Sequence, residues 1–156
     1  MLSRRAVTLC GLLASLPGSA WAKTCAPVRV LFVCPVGSVK SAIARELLKR
    51  VAKRRNISVE AKSRGIRPEN NISPLLAERL KKDGINPLAE PLRAFELEDA
   101  KHADIVIAFN DAVHAPGLQG ARTWSVAAWN TQYDDAKSDT LENIDRLLHE
   151  ISQRQC

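Results

Sequence analysis

The chain of 156 residues is 46% hydrophobic and 26% charged, with a net charge of +6. Once the leader described next is set aside, about 134 residues remain, enough for one domain with a normal core and too few for two. Arg4 and Arg5 leave with that leader, so the remaining domain is only mildly basic at +4, and no nucleic-acid partner is expected.

Residues 1–22 read as a cleavable export signal: Arg4 and Arg5, an apolar stretch from Ala6 to Leu16, the breakers Pro17 and Gly18, and Ala20-Trp21-Ala22 as the cleavage site. The stretch is well short of the roughly 20 residues that span a bilayer, and no later run is longer. The expectation is a periplasmic product, residues 23–156, with no membrane association after cleavage. An uncleaved anchor is the alternative.

Val28 to Val33 is a near-continuous apolar run, the pattern of a strand covered on both faces. Ile43, Leu47, Leu48 and Val51 then recur at helical spacing. The basic cluster Lys49, Arg50, Lys53, Arg54 and Arg55 reads as a solvated face near a helix C-terminus, where cations are favoured. Aromatics that would stack single-stranded bases are missing there. Ile57 to Ala61 supplies a second strand. Ser73-Pro74 and Gly84 bracket a second helix, with Leu75, Leu76 and Leu80 as its buried side. A helical stretch from Phe95 to Ala103 leads into a strand from Asp104 to Phe109, and Ala121 to Val126 forms a weaker fourth. The last helix is placed near Asp139, with Glu142 completing a capping box, and it buries Leu141, Ile144, Leu147, Leu148 and Ile151.

Alternation of strands and helices predicts a single α/β domain: a three-layer sandwich whose central four-stranded parallel sheet carries helices on both faces. Ligands bind such sheets beyond the carboxyl ends of the strands, which is where Cys34 falls. Each helix returns to the opposite edge, so Cys25 before the first strand and Cys156 after the last helix should meet there. That predicts a Cys25–Cys156 disulfide suited to an oxidising compartment, with two unpaired terminal thiols as the alternative. Cys10 leaves with the leader and Cys34 stays free.

After the first strand come Cys34-Pro35-Val36-Gly37-Ser38-Val39-Lys40-Ser41. A loop closing onto a helix N-terminus turns several unpaired N–H groups inward, and the helix dipole adds partial positive charge. A thiol in such a place loses its proton readily, so Cys34 is a candidate nucleophile, with a small buried hydrophobe as the competing reading. His102, His114 and His149 lack ligand spacing, so neither a metal nor another cofactor is expected.

The apolar strand followed by Cys, five residues, a cation and Ser resembles the low-molecular-weight protein-tyrosine phosphatases, a family shared with thioredoxin-coupled arsenate reductases. Ser63, Asp83-Gly84-Ile85 and Ala103-Asp104-Ile105-Val106-Ile107 extend the resemblance over nearly the whole mature domain. It implies that Cys34 attacks phosphorus to form a phosphocysteine, while the amides from Val36 through Gly37, Ser38, Val39 and Lys40 to Ser41 hold the phosphoryl oxygens. Ser41 would hydrogen-bond the thiolate, and Ser63 would brace the loop. An aspartate after Trp129 would serve as general acid and base, Asp134 as first choice and Asp135 as second. The competing reading of that acidic pair is a solvated turn.

The chain departs from the family pattern at several points. Lys40 stands where the family has arginine, so charge is kept while the two-pronged guanidinium geometry is lost. Losing one preorganised donor costs a transition state about 2.7 to 4 kcal/mol, which bounds the expected loss. Gly37 replaces an asparagine held in left-handed conformation, Glu90 stands near the place of a bracing histidine, and no aromatic between Gly65 and Asn71 lines a phosphotyrosine slot. The segment Asp111 to Gly120 lacks the further cysteines that a thioredoxin-coupled reductase uses. The expectation is a weakened cysteine phosphatase acting on a phosphate ester or phosphoprotein. The alternative is an inactive domain of the same fold that binds a free oxyanion or serves as an interaction module. Oligomeric state leaves no trace in the sequence.

Overall fold

The computed structural model describes residues 25–154. The leader and Cys156 therefore lie outside the described residues, and with them the expected Cys25–Cys156 pairing.

Strand β1 (Val28–Cys34) leads into helix α1 (Lys40–Arg54), and strand β2 (Val59–Gly65) into α2 (Pro74–Lys82). Helix α3 (Leu97–Lys101), β3 (Ile105–Phe109), a short 3-10 turn (Asn110–His114), β4 (Arg122–Trp124) and α4 (Tyr133–Arg154) complete the domain. All pairings in the sheet are parallel, in the order β2-β1-β3-β4, with Val28 opposite Val59 and Val30 opposite Ile105. The expected α/β sandwich with a four-stranded parallel sheet is thus the observed one.

Alternation along β1 divides the core. Val30, Phe32 and Cys34 pack with Ile43, Leu47 and Leu48 of α1, Leu76 and Leu80 of α2, and Ile144 and Leu148 of α4. Leu31 and Val33 face the other layer with Ala108, Ala112 and Leu118, and Phe95 packs beside them. Period-two side chains on a central strand make this two-sided burial obligatory. Phe32, Phe109 and Trp124 form an aromatic group with ring centroids 5.4 to 6.2 Å apart.

Three sequence expectations are corrected. Strand β2 lies later than Ile57 to Ala61, because the Ile57 N–H closes the turn after α1 on the Ala52 carbonyl, and Ala61, Ser63 and Gly65 supply the buried side. Leu75 is 58% exposed, leaving Leu76 and Leu80 as the buried face of α2. Helix α4 begins at Tyr133 rather than near Asp139, since Tyr133, Ala136 and Thr140 continue its buried stripe. Asp139 is interior to the helix and accepts the Ala127 N–H at 2.9 Å, tying down the preceding loop. Other boundaries move by a residue or two, within the fraying of element ends.

The N-terminus of α2 forms as expected, with Ser73 Oγ accepting the Leu76 N–H at 3.2 Å and Pro74 in the first turn. Arg50 of the basic cluster is not simply solvated: its guanidinium donates to the carbonyls of Asp83 and Gly84 at the end of α2. Among the described residues, no helix is long and apolar enough to cross a membrane.

Candidate active site

The chain passes from β1 to β2 on one side of the sheet and later to β3 on the other, so the carboxyl ends of β1 and β3 flank the point where strand order reverses. Ligand crevices in open parallel sheets open at that point. Cys34 ends β1 there and Asn110 follows β3 there.

The loop from Cys34 to Ser41 is held by its neighbours. Gly37 has φ 75°, and an added Cβ would lie 2.8 Å from the Gly65 nitrogen; a Cβ on Gly65 would in turn lie 2.7 Å from the Val36 carbonyl carbon. The two glycines therefore allow two backbone segments to touch. The N–H groups of Ile66, Arg67 and Glu69 donate to the carbonyls of Cys34, Pro35 and Val36, so the chain beyond β2 runs along the loop. Ser38 Oγ accepts the Asn71 N–H at 3.0 Å.

At its centre, the Gly37 N–H donates to Cys34 Sγ at 3.1 Å. The Ser41 hydroxyl stands between Cys34 Sγ, 3.1 Å away, and the Arg64 carbonyl, 3.3 Å away. Cys34 is a free thiol, 1% exposed. Among the described residues no side chain caps the N-terminus of α1, which leaves its first amides available at the loop. Hydrogen-bond donors gathered around a sulfur at a helix N-terminus favour an anionic ligand there.

A cleft of about 240 Å³ opens over the sulfur, lined by Cys34, Pro35, Val36, Val39, Lys40, Asn71, Asn110, Ala128, Trp129, Asn130 and Thr131. Lys40 Nζ donates to Asn110 Oδ1 at 2.9 Å and to the Val126 carbonyl at 2.6 Å. Burial pushes the Lys40 ammonium below the ordinary lysine range, against the opposing pull of the charges of Cys34 and Asp139. Asn130 accepts the Ser73 N–H and donates to the Asn71 carbonyl, both at 3.0 Å, which knits the rim together. The Trp129 indole N–H is buried without an acceptor among the described residues.

The structure therefore brings Cys34, Val36, Val39 and Lys40 to the cleft, with Gly37, Ser38 and Ser41 buried beneath it. It does not bring the acidic pair. Asp134 and Asp135 occupy the first turn of α4, where negative charge complements the helix dipole. Asp134 is 90% exposed and faces Arg79 at 3.8 Å, and among the described residues no carboxylate lines the cleft.

Ser63 accepts the buried Arg45 guanidinium at 2.6 Å, and that guanidinium also reaches the Pro87 carbonyl at 2.9 Å, Glu46 at 2.8 Å and the half-exposed Glu90 at 3.6 Å. Gly65, Asn71 and the Arg64 carbonyl make direct contacts with the Cys34 loop. Sequence reading overlooked Asn71, Asn110 and Asn130. Only Asn110 leaves a local signal, as a polar residue directly after a buried strand at the ligand edge. No three His, Cys, Asp or Glu side chains among the described residues gather closely enough to hold a metal ion.

The fold has solved counterparts. The Corynebacterium glutamicum thioredoxin-dependent arsenate reductase Cg_ArsC1' superposes with a TM-score of 0.66 at 25% identity, covering 83% of this chain and 64% of that one. The YwlE arginine phosphatase from Geobacillus stearothermophilus gives 0.62 at 22% identity, covering 82% and 95%. The low molecular weight protein tyrosine phosphatase from T. tengcongensis gives 0.59 at 24% identity, covering 81% and 99%. No curated protein sequence matches the chain significantly. Residues 29–141 match the model of the low molecular weight phosphotyrosine protein phosphatases, and with a cysteine at the foot of an amide-lined loop in the matching fold, the chain belongs to that family.

Proposed function

We propose that the protein is an exported, weakened cysteine phosphatase that turns over phosphate esters with good leaving groups through a phosphocysteine. The observation that carries this reading is the sulfur of Cys34, held by the Gly37 N–H and the Ser41 hydroxyl at the floor of a cleft that also contains Lys40. Family membership supports a phosphate ester or phosphoprotein as the substrate class.

In the first step the Cys34 thiolate forms a bond to phosphorus as the bond from phosphorus to the leaving oxygen breaks. Loop amides and the Lys40 ammonium stabilise the charge on the phosphoryl oxygens. With no carboxylate among the described residues of the cleft, the leaving oxygen takes its proton from water, and water then cleaves the phosphocysteine to inorganic phosphate and free thiol. General acid and base help contributes typically 10²- to 10⁴-fold, so its loss weighs most on poor leaving groups.

A second reading, a noncatalytic oxyanion-binding domain, is favoured by that same lack of a carboxylate. Turnover of nitrophenyl phosphate by residues 23–156 separates the two. The phosphatase reading expects slow release of nitrophenol that Cys34→Ser abolishes, and a much steeper loss for alkyl phosphates. If native protein releases none while phosphate still raises its melting temperature, the binding domain is the correct description.

Export and the Cys25–Cys156 disulfide belong to the same proposal. Arg122, the first residue of β4, pairs with Glu150 near the end of α4 at 2.6 Å, so this end of α4 reaches the edge where strands begin, as Cys25 does. A disulfide there leaves the Cys34 thiol apart from the oxidised pair.

A further inference from the structure

A lysine in place of the family's arginine has a general weakness. Its ammonium is a compact charge on a flexible four-carbon stem, whereas a guanidinium is a rigid fork. In this chain the stem is not left to itself. Asn110 Oδ1 and the Val126 carbonyl each accept one N–H of Lys40, from two separate segments that meet at the carboxyl edge of the sheet. An ammonium has three N–H donors, so one remains for the cleft that Lys40 lines.

Asn110 is well suited to this contact for two reasons. Its φ is 54°, a left-handed conformation that asparagine adopts with less strain than most residues, and this turns the chain sharply out of β3. Its amide oxygen is a neutral acceptor, as is the Val126 carbonyl. The clamp thus orients the cation without placing a counter-charge in contact with it, whereas a carboxylate in the same place would form a direct ion pair and withdraw that charge from a ligand.

We infer that Asn110 is the positioning residue of the site: it holds the Lys40 ammonium at the rim of the Cys34 loop through a neutral acceptor, replacing by preorganisation what the missing guanidinium fork would supply. This rests on the reading above that the loop receives a tetrahedral oxyanion. Asn110 acts through Lys40 and needs no contact with the ligand.

The test is binding of inorganic phosphate, measured by calorimetry for native protein, Asn110→Gly and Asn110→Asp, with thermal unfolding of each. Both substitutions tolerate left-handed backbone, so the turn after β3 is kept. Asn110→Gly removes one acceptor and should weaken phosphate binding about fivefold, the worth of a typical net hydrogen bond. Asn110→Asp keeps the acceptor and the shape but pairs the charge, and should weaken binding more than Asn110→Gly does. A merely structural asparagine gives the opposite order, with Asp near native. In a Lys40→Met background both substitutions should lose their effect, because they act through the ammonium. If native protein binds phosphate and Asn110→Asp binds it as well, the inference fails while the proposed function stands. If native protein does not bind phosphate, the oxyanion reading of the loop fails and this inference with it.

Discussion

Gly37 and Gly65 bring two backbones into contact directly under the candidate nucleophile, and side chains larger than hydrogen have no room at either position. At Gly37 an added Cβ would meet the Gly65 nitrogen and Cα at 2.8 and 2.9 Å, in a left-handed conformation besides. Those neighbours are backbone, so nothing flexible can yield. Gly37→Ala should cost about 2 to 4 kcal/mol, combining left-handed strain with overpacking, and denaturant titration measures it. Gly65→Ala meets the Val36 carbonyl carbon and the Gly37 nitrogen, and should displace the loop and lower phosphate affinity even where the fold survives. Wild-type stability in both variants would disprove the close contact. The left-handed Gly37 was legible from sequence, because the loop pattern calls for such a residue there. Its partner Gly65 was not, since nothing local announces that β2 ends against that turn.

Among the elements, α4 teaches the most about local signals. Asp139 and Glu142 have the spacing of a capping box, yet the helix starts six positions earlier, and the Asp139 carboxylate is engaged by the Ala127 N–H. A cap signature is a short-range preference, and burial of Tyr133, Ala136 and Thr140 outweighs it. Strand entry is governed in the same way by a contact between elements. Asp104, just before β3, accepts the backbone N–H and guanidinium of Arg29 on β1, which pushes its carboxyl down to about 2. A lowered carboxyl stabilises the fold fully above the ordinary aspartate value of 3.8, and that contribution fades as pH falls toward about 2. Native protein should therefore exceed Asp104→Asn in melting temperature by a constant margin above about pH 5, shrinking below pH 4. Both side chains are more than a third exposed, so the margin should be small and should diminish in salt. A margin that grows on acidification would contradict the sign of the shift.

For the whole molecule, parallel topology sends every strand's carboxyl end to one edge and the ends of the returning helices to the other. This separation would let a structural disulfide and a reactive thiol coexist in one small domain. If Cys25 and Cys156 pair, their loop spans nearly the entire domain, and reduction should remove on the order of 4 to 5 kcal/mol in the chain-entropy model. Non-reducing peptide mapping of exported protein, followed by unfolding with and without reductant, checks this; two alkylatable terminal thiols would refute it. Much of this architecture could be read from the chain. Continuous apolar runs for β1 and β3, helical spacing in α1 and the Cys34-to-Ser41 loop are all written within a few turns of backbone, where period and turn chemistry act directly. The rim of the cleft could not be read in that way. Asn71, Asn110 and Asn130 come from three segments far apart in sequence, and the place of Asp134 and Asp135 in the first turn of α4 follows only once that helix is seen to begin at Tyr133. Contacts between distant segments depend on register and packing across the sheet, so only the folded chain settles which polar groups surround the sulfur.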